Sequence, residues 1–215
     1  LLMSTCAILF IKNPVSGKVK TRLQPQLTAD QAADVYRAFI LDSVELLGRV
    51  RAQRRIIAYA PASQRAEIEV LLGTAAAGCD LEAQPETDLG GRLEGLMRSS
   101  FAAGSTRTVI IGSDSPSLAP EIVDEAFEKL RNCQVALGPS TDGGYYLIGQ
   151  ARAAGGQTSD ASLFEKITWS TGQVLEQTLA AIGERSLGLM PPWYDVDTAA
   201  DAAFLKVHLQ ALAVT

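Results

Sequence analysis

Residues 108–118 read TVIIGSDSPSL. Val109-Ile110-Ile111 is a short run of branched apolar residues ended by Gly112, which suits a strand buried on both faces. Pro116 has no amide hydrogen to give a sheet, so the strand must stop where Asp114 stands between two serines. Apolar spacing at helical period then predicts a helix over Pro120–Leu130. Strand, acid-bearing turn and helix form a piece of a βαβ unit, and the same rhythm runs outward from it in both directions.

Upstream, Cys6–Ile11 reads as a first buried strand followed by a polar loop through Pro25. Thr28-Ala-Asp-Gln31 has the form of a capping box, and Ala32 to Leu47 recur at helical spacing up to Gly48. Arg55–Tyr59 is a second strand, Ala66–Leu72 a helix, Leu81–Gln84 a short strand and Leu89–Phe101 a helix. Downstream, Gln134–Leu137 is a strand, and Tyr145–Ile148 is one entered from a Gly-Gly turn that suits an antiparallel course. Val174–Ile182 and Ala199–Leu212 read as helices. With no internal repeat or linker, the pattern predicts a single α/β domain over residues 1–215 with a mostly parallel sheet. Ligands of such sheets bind beyond the carboxyl ends of the strands.

Composition agrees. Of 215 residues, 47% are apolar and 20% charged, a globular balance. The net charge of −5 argues against nucleic acid as a partner. Nine of the 19 Lys/Arg fall in residues 1–55, against four acids there. Cys6, Cys79 and Cys133 are odd in number and widely spaced, which suits buried thiols in a reducing compartment. No apolar run approaches a membrane span, and the opening residues are too short for a signal peptide. The expected location is cytoplasmic.

Three strand-end loops carry the candidate chemistry. The first, KNPVSGKVKTRL (12–23), gathers Lys12, Lys18, Lys20 and Arg22, with Pro14 and Gly17 shaping the turn. Clustered cations suit a phosphate or diphosphate, though a solvated basic loop reads the same. It has neither a P-loop nor a dinucleotide-fold spacing. The second loop bears Asp114, suited to a hard divalent cation such as Mg²⁺ or Mn²⁺ with a substrate phosphate. Capping of the following helix by Asp114 or Ser117 reads equally well. WYDVDT (193–198) adds Asp195 and Asp197, which face one way in extended backbone, or else cap the last helix with Thr198.

The third, GPSTDGGYYLIG (138–149), holds Asp142, Gly143, Gly144 and Tyr145, groups suited to a polar ligand or to an ordinary hairpin turn. Asp88-Leu-Gly-Gly-Arg92 sits at a helix start, where Arg92 could hold an anion and Asp88 could be the N-cap. Trp169, within Ile167–Thr171, reads better as buried. His208, the one histidine, lies deep in the last helix.

In this order, KNPVSGKVKTRL, DLGGRL, IIGSDSP, LGPSTDGGYYLIG, TWST and DVDT resemble the bacterial GT-A-like glycosyltransferases or nucleotide-diphospho-sugar transferases. The resemblance spans residues 6 to about 205. It implies the nucleotide-diphospho-sugar transferase fold, a Rossmann-like three-layer α/β/α sandwich with a mixed sheet. A more distant similarity runs to phospholactate and molybdopterin guanylyltransferases. It implies that the basic loop holds phosphates, that Asp114 holds Mg²⁺, and that Asp197, less firmly Asp195, completes the metal site. The family often has Cys where Ser115 stands, and the G-x-G-x-R loop of sugar nucleotidyltransferases is lacking here.

The expectation is therefore a Mg²⁺- or Mn²⁺-dependent transferase of a nucleoside-diphosphate sugar to an acceptor of unknown identity. Lys12, Pro14, Gly17, Lys18, Lys20, Arg22 and Arg92 would line the phosphates. Asp142, Gly143, Gly144 and Tyr145 would face sugar or acceptor, with Asp142 as a general base. Nucleotidyl transfer from a nucleoside triphosphate to a phosphorylated acceptor is the alternative, and a non-catalytic nucleotide-binding protein a third.

Overall fold

The computed structural model describes residues 4–152 and 159–214. Its central sheet has the order β3-β2-β1-β4-β6-β5-β7. The strands are β1 (Thr5–Lys12), β2 (Arg54–Ala60), β3 (Asp80–Ala83), β4 (Arg107–Ile111), β5 (Val135–Pro139), β6 (Tyr145–Ala151) and β7 (Leu187–Leu189). All neighbours pair parallel except β6, which runs antiparallel to both β4 and β5. That is the mixed sheet expected, with the reversal where the Gly-Gly turn placed it. β7 had no signal in the sequence, since three residues are too few for a period to show.

The helices are α1 (Ala29–Arg49), α2 (Arg65–Leu72), α3 (Leu89–Ala102), α4 (Pro120–Lys129), α5 (Val174–Ile182) and α6 (Ala199–Leu212). Strand residues alternate between two cores. Ala7, Leu9 and Ile11 of β1 pack with Val109 and Ile111 of β4 against Phe39 and Ile40 of α1 and Val123 of α4. Cys6 and Ile8 pack with Ile110 against Leu93, Met97 and Phe101 of α3 and Ile182 of α5. The period of two thus yields the three-layer α/β/α sandwich.

Local rules set the helix starts. Thr28 accepts from Gln31 N while Gln31 Oε1 accepts from Thr28 N, at 3.2 and 2.9 Å, the capping box read from sequence. Thr198 and Asp201 form a second box at α6. No described helix is long and apolar enough to cross a membrane. All three cysteines are free, with Cys6 buried.

Candidate functional site

Leu9 of β1 pairs with Ile111, the last residue of the parallel strand β4, and β1 runs on to Lys12, so both strands point their carboxyl ends the same way. One delivers the basic loop and the other delivers Asp114 to the same edge of the sheet. In that loop Lys20 takes a left-handed backbone, φ 48° and ψ 39°, which costs a non-glycine residue about 1–2 kcal/mol. Its side chain, only 4% exposed, makes contacts that hold it there. The ammonium lies 2.5 Å from Asp114 Oδ1 and 2.9 Å from Asp197 Oδ1. It also donates to the Val196 carbonyl at 2.8 Å. The rings of Tyr36 and Phe39 lie 5.7 and 5.5 Å away, within cation–π range. Burial works against the ammonium's charge, but Asp114 and Asp197 outweigh it and raise the Lys20 pKa. Arg22 binds the other oxygen of Asp197.

Neither acid is spent on a helix cap. α4 begins after Ala119 with no side-chain cap, so Asp114 serves no helix. Thr198 caps α6, which leaves Asp197 to face Lys20. Val196 is buried between two acids that both line the cleft, as alternation predicted. Its amide donates to the Asp114 carbonyl at 2.8 Å, binding the two acidic segments together.

Asp195 sits deeper. Ser115 Oγ donates to its Oδ1 at 2.6 Å and Ser140 Oγ to its Oδ2 at 2.9 Å. Burial pushes its pKa up to about 6; the serine hydrogen bonds oppose this and the charges of Asp114 and Asp142 add to it. The Tyr36 hydroxyl hydrogen-bonds Ser113 Oγ at 2.8 Å and accepts from Lys12 N at 3.2 Å, and burial, with the charge of Asp114, keeps it a neutral phenol. Tyr36, Ser115 and Ser140 were not legible as site residues. Tyr36 follows its helix's apolar period, and Ser140 meets Asp195 only across the folded sheet.

A cleft of about 850 Å³ opens over these groups, lined also by Lys12, Lys18, Arg22, Arg92, Tyr145 and Trp169. A second lobe of about 740 Å³ shares Lys12, Lys18, Gln84 and Arg92 with it. Pro14 is buried below the loop, and Gly17 turns it at φ +74°. Gln84 was another residue without a sequence signal. Its amide donates to the Ile11 and Ala58 carbonyls at 3.0 and 2.8 Å, which turns its oxygen toward Arg92.

The DGG stretch lies elsewhere. Asp142 Oδ1 accepts from Gly144 N at 2.9 Å, and Asp142, Gly143 and Gly144 are not among the residues lining the cleft. Gly143 has φ +89°, and a Cβ there would lie 2.4 Å from the Gly172 carbonyl oxygen. Gly143→Ala is therefore expected to destabilise the fold by about 2–4 kcal/mol through strain and overlap, measurable by urea unfolding. An unchanged midpoint would show that the turn can move aside. Tyr145 lines the cleft, but its hydroxyl is buried.

At α3, Asp88 is the N-cap, accepting from Gly91 N at 2.9 Å. Gly90 is required by packing, since a Cβ would meet the Phe164 carbonyl at 2.9 Å and the Trp169 ring at 3.0 Å. Trp169 is thus both partly buried and part of the cleft wall. His208 bonds the Tyr194 hydroxyl through Nδ1 at 2.7 Å, away from the cleft.

The sheet order and a cation–carboxylate pole beyond β1 and β4 define a Rossmann-like domain of the nucleotide-diphospho-sugar transferase type. A family model described as "Uncharacterized protein conserved in bacteria (DUF2064)" matches residues 43–171, and the chain belongs to that family. A crystal structure from Desulfovibrio desulfuricans G20, provisionally described as a nucleotide-diphospho-sugar transferase, is 35% identical with a TM-score of 0.85. The match covers 94% of this chain and 87% of that one.

Two more distant structures share the fold. CMP-2-keto-3-deoxy-manno-octonic acid synthetase, complexed with CTP, is 12% identical with a TM-score of 0.59, covering 97% of this chain and 99% of that one. Rv0371c from Mycobacterium tuberculosis H37Rv, complexed with manganese, is 16% identical with a TM-score of 0.51, covering 94% and 97%. No curated protein gives a significant match.

Proposed function

We propose that the protein is a divalent-metal-dependent transferase that binds a nucleoside-diphosphate sugar across the cleft. The observation that carries this is that Asp114 Oδ1 and Asp197 Oδ1 converge beyond β1 and β4 on one positive charge, the Lys20 ammonium, with Lys12, Lys18 and Arg22 on the same cleft. The donor set fits Mg²⁺ or Mn²⁺, which take hard oxygens and settle for one or two carboxylates completed by phosphate and water. No group of three or more His, Cys, Asp or Glu suited to a metal exists among the described residues, so such an ion depends on the nucleotide for its remaining ligands. When bound, it would stabilise charge on the departing diphosphate.

The chain's own residues do the rest. Lys12 and Lys18, both exposed on the cleft, hold phosphate oxygens. Asp195 is held in place by Ser115 and Ser140 as a further carboxylate on the wall. The Trp169 ring and Arg92 form the side of the cleft where the sugar or base would lie. The turn engages Asp142 with its own Gly144 amide, so we give it no part as a base.

Nucleotidyl transfer from a nucleoside triphosphate is the second reading, favoured by charge. Lys12, Lys18 and Arg92 are cations beyond those paired with Asp114 and Asp197, more than a diphosphate sugar needs. A thermal-shift screen with MnCl₂ against nucleoside triphosphates and nucleotide sugars separates the two. At a hundredfold excess over Kd the ligand stabilises by about 2.7 kcal/mol, a rise of roughly 5–10 °C for a chain of this size. A rise with one nucleotide sugar supports glycosyl transfer, and a rise with a triphosphate supports nucleotidyl transfer. A flat response to both, with and without metal, refutes the proposal.

A further inference from the structure

We infer that Lys20 is the resident counter-ion of Asp114 and Asp197, and that the site admits its divalent cation only together with a polyphosphate that draws Lys20 away. This rests on the metal-dependent reading above. An ammonium has three hydrogens to donate, and Lys20 has three acceptors in place: Asp114 Oδ1, Asp197 Oδ1 and the Val196 carbonyl. In this arrangement its donors are fully used, so it cannot also bind a substrate oxygen. A divalent ion bridging these same two Oδ1 atoms would fall where the ammonium now sits, so one must leave for the other to enter.

The arrangement is built rather than incidental. The side chain is 4% exposed, lies over Tyr36 and Phe39, and departs from a left-handed backbone. Arg22 engages the remaining oxygen of Asp197, so a cation arriving alone finds both oxygens of that carboxylate taken. Charge closes the argument. Even with Asp195 ionised, Lys12, Lys18, Lys20, Arg22 and Arg92 outnumber the acids Asp88, Asp114, Asp195 and Asp197 on the cleft, so a lone divalent ion adds positive charge where cations are already in excess. A nucleotide brings the oxygens that receive both the metal and the displaced ammonium, and the flexible lysine stem lets the head move while the backbone stays.

Mn²⁺ alone is the probe, with bound ion counted by electron paramagnetic resonance. Lys20→Met keeps an unbranched apolar stem over Tyr36 and Phe39 and removes the charge. It is expected to bind Mn²⁺ at least tenfold more tightly than the wild type, and Mn²⁺ alone should raise the melting temperature of the variant but not of the wild type. Adding Asp114→Asn to Lys20→Met should abolish that gain. A Lys20→Met protein that binds Mn²⁺ no better than the wild type overturns the inference. If Asp114-dependent binding of Mn²⁺ with nucleotide persists there, the proposed function survives. Should Lys20→Met fail to fold, the wild type still decides: Mn²⁺ binding through Asp114 as tight without nucleotide as with it overturns the inference. Mn²⁺ binding to neither protein, with or without nucleotide, overturns the inference and the metal-dependent function together.

Discussion

Asp114→Asn is expected to remove metal-dependent nucleotide binding and to lower transfer activity by about 10²–10³-fold, the usual cost of losing a group that fixes transition-state charge. The side chain is 47% exposed and caps no helix, so the fold should survive. Its Coulombic partner is Lys20, and the amide that replaces it neither neutralises that ammonium nor ligates a hard cation well. The check is the MnCl₂-dependent nucleotide shift, repeated on the variant beside a urea melt in the absence of ligand. An unchanged shift in a folded variant would place the metal elsewhere.

Asp195→Asn should raise stability at neutral pH. Burial raises the pKa of Asp195 from 3.8 to about 6. Between those values the unfolded chain has released the proton while the folded chain keeps it, so stability falls as pH rises through the window. Above pH 6 the penalty is constant. About two units correspond to roughly 3 kcal/mol, an upper figure because an asparagine amide must find partners between Ser115 and Ser140. The variant is therefore expected to be more stable than the parent at pH 7.5 without divalent ions, and equal to it below about pH 4. Urea melts at both values test this. A variant that is weaker at pH 7.5 would mean that the ionised carboxylate supports the fold through its two serine bonds.

The family resemblance carried by the loop motifs agrees with the family match and with the 35% identical structure. It assigned Asp114 and Asp197 to a metal and the basic loop to phosphates; in the structure Lys20 and Arg22 of that loop pair with those two acids instead. Where short motifs had two readings, geometry divided them. Asp88 and Thr198 are caps, Asp114 and Asp197 are not, and Asp142 closes its own turn.

The sequence by itself determined the layers and the edge at which chemistry collects. A strand's period of two and a helix's 3.6 are local properties, so buried runs, capping boxes and Gly or Pro stops can be read along the chain without knowing its partners. Only the tertiary structure decided which polar groups meet. Lys20 and Asp197 are 177 residues apart, Ser115 and Asp195 80, and Gln84 and Ile11 73. A hydrogen bond depends on distance and direction between such groups, which no residue's neighbours in the chain encode. For the same reason Gly90 and Gly143 reveal their need for glycine only against Trp169 and Gly172, surfaces that exist once the chain has closed on itself.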